Sequence, residues 1–186
     1  MRTFIAVNFD NAIKKQLADL QAGLKPHCGK LKWVDPNIMH LTLKFLGDIS
    51  DRQVAPISHA LDELAKQCRP FDIAVEDIGT FPPHGGVKVI WIGIKDPDGL
   101  LAKCQGLCED LIEPLGFPKE KRRFSPHLTL ARNRDPGNSA RIRAALAQES
   151  CVCLGTQSVA GVTFYQSTLT PKGPIYQPLS RHLLSS

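Results

Sequence analysis

The 186-residue chain has no apolar run long enough to cross a bilayer, no Cys-x-x-Cys pair, no low-complexity tract and no linker separating independent domains. A membrane helix needs about 20 consecutive apolar residues, so a transmembrane protein is excluded and no membrane partner is expected. The opening Met1-Arg2-Thr3-Phe4-Ile5-Ala6-Val7-Asn8-Phe9-Asp10 is broken by polar residues too early for a secretory signal, which predicts a cytoplasmic protein. The six cysteines, Cys28, Cys68, Cys104, Cys108, Cys151 and Cys153, and the histidines show no spacing that would complete a zinc quartet. In a reducing compartment they are expected to stay thiols, with Cys104 and Cys108, four apart in a helical pattern, packed in the core. Also missing are a Lys-x-Asp-Gly nucleotidyl-lysine motif and a Gly-x-x-x-x-Gly-Lys-Ser/Thr phosphate loop, so no nucleotide cofactor is expected.

What is present is the composition of a soluble globular protein, 42% hydrophobic and 22% charged. The chain is long enough for one ordinary domain, or two small lobes packed closely together, and we read residues 1–186 as a single domain. The formal charge of +5 is compatible with an anionic partner but far from that of a dedicated duplex-DNA binder. Its distribution adds that Lys119, Lys121, Arg122 and Arg123 stand together, either as a solvated basic loop or as a source of positive potential for a phosphate.

Residues 2–7 read as a strand, followed by a helical stripe at Ile13, Leu17, Leu20 and Leu24 behind an Asp10 or Asn11 cap. Strands are predicted over 31–34 and 39–46, then a helix through Val54, Ile57, Leu61, Leu64 and Cys68. Next come strands over 71–75 and 87–94 flanking a Pro/Gly loop at 79–86, and a third helix through Leu100 to Leu111. Residues 127–130 form another strand, 139–148 a short helix, and 159–165 with 167–170 the final strands. This order indicates an α+β fold with antiparallel sheets carrying helices on one side.

The tetrapeptide His-Leu-Thr-Leu occurs at His40-Leu41-Thr42-Leu43 and again, 87 residues later, at His127-Leu128-Thr129-Leu130. For a chain with six histidines, accident produces such a repeat in roughly 0.3% of cases. On a strand, His40 and Thr42 share one face about 6.6 Å apart while Leu41 and Leu43 turn to the core, and the second copy behaves alike. One copy alone is just a half-buried strand with its polar residues outward. Two copies on facing sheets would bring two imidazoles and two hydroxyls into one cleft.

That set suits cleavage of a phosphodiester. A neutral imidazole takes a proton from the attacking oxygen and a protonated one donates to the leaving oxygen, each step worth about 10² to 10⁴ in rate, with no metal needed. Thr42 and Thr129 can donate to the nonbridging oxygens, and Arg132, just beyond the second copy, can add charge-assisted bonds. His27, His59, His84 and His182 lack a repeated context and read as structural or solvent-exposed.

The chain resembles the 2H phosphoesterase family, and within it the bacterial and archaeal RNA 2′,3′-cyclic phosphodiesterases formerly described as 2′-5′ RNA ligases. The resemblance rests on the two tetrapeptides, the opening Arg2-Thr3-Phe4-Ile5-Ala6-Val7, and Lys44-Phe45-Leu46-Gly47. It extends to Arg123-Phe124-Ser125-Pro126, Ala131-Arg132 and the tail Ser167-Thr168-Leu169-Thr170-Pro171-Lys172-Gly173-Pro174-Ile175-Tyr176. It implies a bilobal α+β fold of two pseudosymmetric antiparallel sheets with flanking helices around a central cleft. It further implies opening of an RNA-terminal 2′,3′-cyclic phosphate to a 2′-phosphomonoester by His40 and His127, with Thr42, Thr129 and Arg132 binding the phosphate and no metal or cofactor. Phe45 is a base-stacking position by resemblance, but strand parity places it with the core leucines. The expected partner is RNA with cyclic phosphate ends, tRNA fragments among the candidates, and the expected state a monomer. Three other readings stay open: ATP-independent 2′-5′ joining of tRNA halves, a noncatalytic RNA-end-binding module, and a metallohydrolase using His40, His127 and His84. The last lacks acidic ligands at recognisable spacing.

Overall fold

Two antiparallel sheets carry the chain, and the tetrapeptides fall one on each. In a computed structural model that describes every residue except Ser150, Lys172 and Ser186, the elements run as follows. β1 (Arg2–Asn8), α1 (Asn11–Leu24), β2 (Lys32–Trp33), β3 (His40–Asp48) and α2 (Asp51–Gln67) come first, then β4 (Phe71–Phe81), β5 (Val89–Lys95) and α3 (Leu100–Ile112). β6 (His127–Arg132), α4 (Ser139–Leu146), β7 (Cys153–Val159), β8 (Gly161–Thr170) and β9 (Gly173–Leu183) complete the chain. One sheet has the order β3-β1-β8-β9 and the other β2-β6-β5-β4-β7. Lys172, quoted in the tail above, lies outside the described residues. Among the described residues no helix is long and apolar enough to cross a membrane.

Local chemistry accounts for the helix starts. Asp10 accepts from the Ile13 amide at 2.9 Å, and Ser50 with Gln53 forms a reciprocal capping box. α1 buries Ile13, Leu17, Gln21 and Leu24 against the five-stranded sheet. The Gln21 amide, buried among them, donates to the Val34 and Leu130 carbonyls at 2.7 and 3.0 Å, so the helix does not leave an orphaned polar group inside. α3 follows a strand of the five-stranded sheet yet packs against β3 of the other sheet and against α2. The chain therefore passes back and forth between the sheets, and one continuous set of buried apolar side chains, from Ile5 to Leu184, underlies both.

The structure departs from the pattern read in the sequence at three places. β4 continues to Phe81, taking in part of the predicted Pro/Gly loop. The C-terminal third holds three strands in place of two short ones, since β8 runs unbroken through Gln166, and β7 and β9 were not foreseen. β9 is an edge strand, where Pro174 and Pro178 are tolerated and no strict alternation is imposed. The third departure is in β3, where Ile5 pairs with Lys44 but Ala6 with Thr42, leaving Leu43 as an extra residue. This bulge turns Leu43 and Lys44 both inward and inverts the parity beyond them. Phe45, expected in the core, is 68% exposed.

Candidate active site

His40, Thr42, His127, Thr129 and Arg132 all line one cleft of about 1270 Å³ between the sheets. β3 supplies the first pair and β6 the second, each with its leucines buried behind it. His27, His59, His84 and His182 are not among the cleft residues. His182 is buried, its Nδ1 2.6 Å from Asp62 and its Nε2 2.8 Å from Ser180, a contact that joins β9 to α2.

The two imidazoles are held in the same way. Nδ1 of His40 lies 3.0 Å from the Ile38 carbonyl, and Nδ1 of His127 lies 2.7 Å from the Ser125 carbonyl, in each case the residue two before. A carbonyl only accepts, so Nδ1 carries the proton and donates, which leaves Nε2 as the basic nitrogen of the neutral ring. Neither Nε2 nor either Thr hydroxyl is hydrogen-bonded to another described residue.

Their surroundings differ. The ring of Phe4 stacks on His40 at 4.5 Å between centroids, and Tyr176 meets it edge-on at 4.9 Å. Burial by these rings lowers the His40 pKa below 6.5, with the bond to Ile38 opposing the shift. His127 has one aromatic neighbour, Phe81, edge-on at 5.1 Å. Burial also raises the pKa of the Tyr176 phenol, against the pull of the Arg132 and Arg2 guanidiniums, which puts Tyr176 in the field of the cleft.

A family model described as LigT like Phosphoesterase matches the chain twice, over residues 7–91 and 92–176. The chain belongs to this family. Each matched stretch of this LigT-like chain contains one His-x-Thr unit, so the repeat in the sequence and the pseudosymmetry of the fold coincide. Curated relatives named RNA 2′,3′-cyclic phosphodiesterase include one from Archaeoglobus fulgidus, 36% identical over 180 residues that cover 96% of this chain and 98% of the relative. Another from Methanothermobacter thermautotrophicus is 30% identical over 176 residues, 95% of each. Among solved structures, a Thermus thermophilus protein superposes with a TM-score of 0.80 at 30% identity, covering 99% of this chain and 98% of its own. E. coli LigT complexed with 3′-AMP gives 0.73 at 25%, covering 100% and 98%.

Several residues packed around the two imidazoles escape the motif reading. Phe4 and Tyr176 lie in segments quoted for the resemblance, but only the β1–β3 and β8–β9 pairings put them against His40. Phe81 reaches His127 from β4, where a turn was expected. The loop after it is fastened by Arg143 of α4, which donates to the carbonyls of Pro83 and Gly85 at 2.7 and 2.8 Å. Phe45 of β3 and Pro82 also line the cleft. Among the described residues no three His, Cys, Asp or Glu side chains gather as a metal site.

Proposed function

We propose that this chain hydrolyses the terminal 2′,3′-cyclic phosphate of RNA to a 2′-phosphomonoester, with its own side chains as the acid, the base and the phosphate ligands. The observation that carries the reading is the matched pair of imidazoles, each with Nδ1 committed to a carbonyl and Nε2 left basic, on the two walls of one cleft. The names of the relatives support the substrate class.

His40, kept neutral by burial, is the base. Its Nε2 takes a proton from water as the water oxygen bonds to phosphorus. The bond from phosphorus to O3′ breaks, and protonated His127 donates to O3′, leaving a 2′-phosphate and a 3′-hydroxyl. As phosphorus becomes pentacoordinate, charge gathers on the nonbridging oxygens, where Thr42, Thr129 and Arg132 donate. One chain supplies both walls, so a monomer suffices, and free thiols at all six cysteines suit a cytoplasmic setting.

The test is an oligonucleotide ending in a 2′,3′-cyclic phosphate, its product identified by mass and phosphatase sensitivity. A 2′-phosphate formed equally well in chelator is expected, and His40→Ala or His127→Ala should each lower kcat by about 10² or more. A 3′-phosphate product, chelator inhibition or full activity in either variant overturns the reading. A 2′-5′ joined product from tRNA halves would indicate end joining instead.

A further inference from the structure

The cleft wall before β6 carries three consecutive cations, Lys121, Arg122 and Arg123, all exposed and all lining the cleft. None forms an ion pair with a described residue, whereas Lys15, Lys44, Lys66, Lys95 and Lys119 each have a carboxylate partner. Three adjacent unpaired cations repel one another, and the segment that bears them would splay into solvent unless held.

It is held. Lys44, turned inward by the β3 bulge, forms a buried ion pair with Glu109 of α3. Both partners also grip the basic segment: the Lys44 ammonium donates to the Pro118 carbonyl at 2.9 Å, and the Glu120 amide donates to the Glu109 carboxylate at 3.3 Å. Gln105 donates to the other Glu109 oxygen at 3.0 Å. Lys119 is fixed to Asp110 at 2.5 Å and stands 3.6 Å from Glu113, so its charge is already neutralised. At the far end, the Ile94 amide donates to the Pro126 carbonyl at 3.2 Å. The backbone of the ridge is thus fastened on both sides, so presenting its cations to an anion requires no further ordering of the main chain.

Arg123 precedes His127 by four residues, at most ~14 Å along an extended chain, which is within reach of the next phosphates of a strand whose last phosphate sits between the histidines. We infer that Lys121, Arg122 and Arg123 form a second subsite, taking the phosphodiester backbone of RNA upstream of the reacting end. Lys44 and Glu109 are positioning residues for it. The inference rests on the hydrolase reading and deepens it: the preferred substrate is a polymer end, and a nucleoside 2′,3′-cyclic phosphate, which has no upstream phosphate, fills only half of the site.

The test compares a five-nucleotide RNA ending in a 2′,3′-cyclic phosphate with the corresponding nucleoside 2′,3′-cyclic phosphate. Wild-type kcat/KM is expected to favour the oligonucleotide by about tenfold or more, and the combined variant Lys121→Ala, Arg122→Ala, Arg123→Ala to lose most of that preference. Binding of the fluorescein-labelled 2′-phosphate product is read in parallel across salt concentrations. Single-strand contacts contribute a slope of about 0.7 per neutralised phosphate, so losing three cations lowers it by about 2. Lys119→Ala, whose ammonium is engaged elsewhere, should change the slope by less than ~0.5. A variant that keeps both the length preference and the salt slope overturns the subsite, as does equal loss on both substrates. If the wild type turns over neither substrate, the hydrolase reading falls, and the salt slope still decides whether the ridge takes the RNA backbone.

Discussion

At His40 the environment does what the residue type alone does not. An imidazole on an open strand would titrate near 6.5, and two imidazoles in equivalent settings would divide acid and base duties poorly. Enclosure by Phe4 and Tyr176 pushes His40 toward the neutral form. With His40 as the proposed base, the acid limb of the kcat/KM profile is expected below pH 6.5. Phe4→Leu lets water nearer the ring and should move that limb upward, which a pH series on both proteins measures; an unchanged limb would contradict the assignment. The same shift has a sign for folding. Between the lowered folded pKa and the unfolded value the unfolded chain holds more protons, so His40 contributes stability above pH 6.5 that is lost as the pH falls through the folded value. The cysteines give a second residue-scale expectation. Burial pushes the Cys108 thiol up to about 12 and raises Cys104 further, while Cys151 and Cys153 are exposed. In the native protein a thiol reagent should modify Cys151 and Cys153 quickly, and Cys104 and Cys108 only once the chain is unfolded.

Among the elements, β3 shows where reading a sequence succeeds and where it stops. Up to Leu43 the alternation holds, because His40 and Thr42 are polar and Leu41 and Leu43 apolar, and a two-residue period is visible in the letters. The bulge is not visible, since nothing in Lys44-Phe45 announces an unpaired residue; it is set by β1 across the sheet. The same holds for β9, whose prolines hide a strand that only its edge position permits. Two predictions belong here. Lys44→Met leaves the Glu109 carboxylate buried without its cation and should cost about 3–5 kcal/mol in denaturant unfolding. Lys44→Met combined with Glu109→Leu should regain most of the loss, and failure to regain any would mean that the pair is not what destabilises the single variant. Gly79→Ala would drive a methyl into the Trp91 ring, which lies over β4 and touches Phe81. Overpacking of this kind costs about 1–3 kcal/mol, and a changed Trp emission should accompany it.

For the molecule as a whole, strand pairings and packing cross between the halves that the family model matches separately. β1 pairs with β8 and β5 with β6 across the boundary at residue 91, α3 of the second half packs on β3 of the first, and a shared core runs beneath both sheets. Residues 1–91 and 92–186 expressed apart should each remain unfolded, and the intact chain should lose its secondary structure and its Trp signal in a single coincident transition. Resolved transitions, or a half with native-like circular dichroism, would contradict this. The repeat announced in the sequence that two walls exist, because identical letters ask for identical settings. It could not announce how they interlock, which depends on strand pairings between residues more than a hundred positions apart.

The carbonyls that fix the two imidazoles belong to the main chain, at Ile38 and Ser125. Every amino acid carries the same carbonyl, so the identity of the side chain at those positions is uncoupled from which ring nitrogen bears hydrogen. Mutational drift at positions 38 and 125 is thereby insulated from the proton inventory of the reaction, provided the polypeptide keeps its path into each strand.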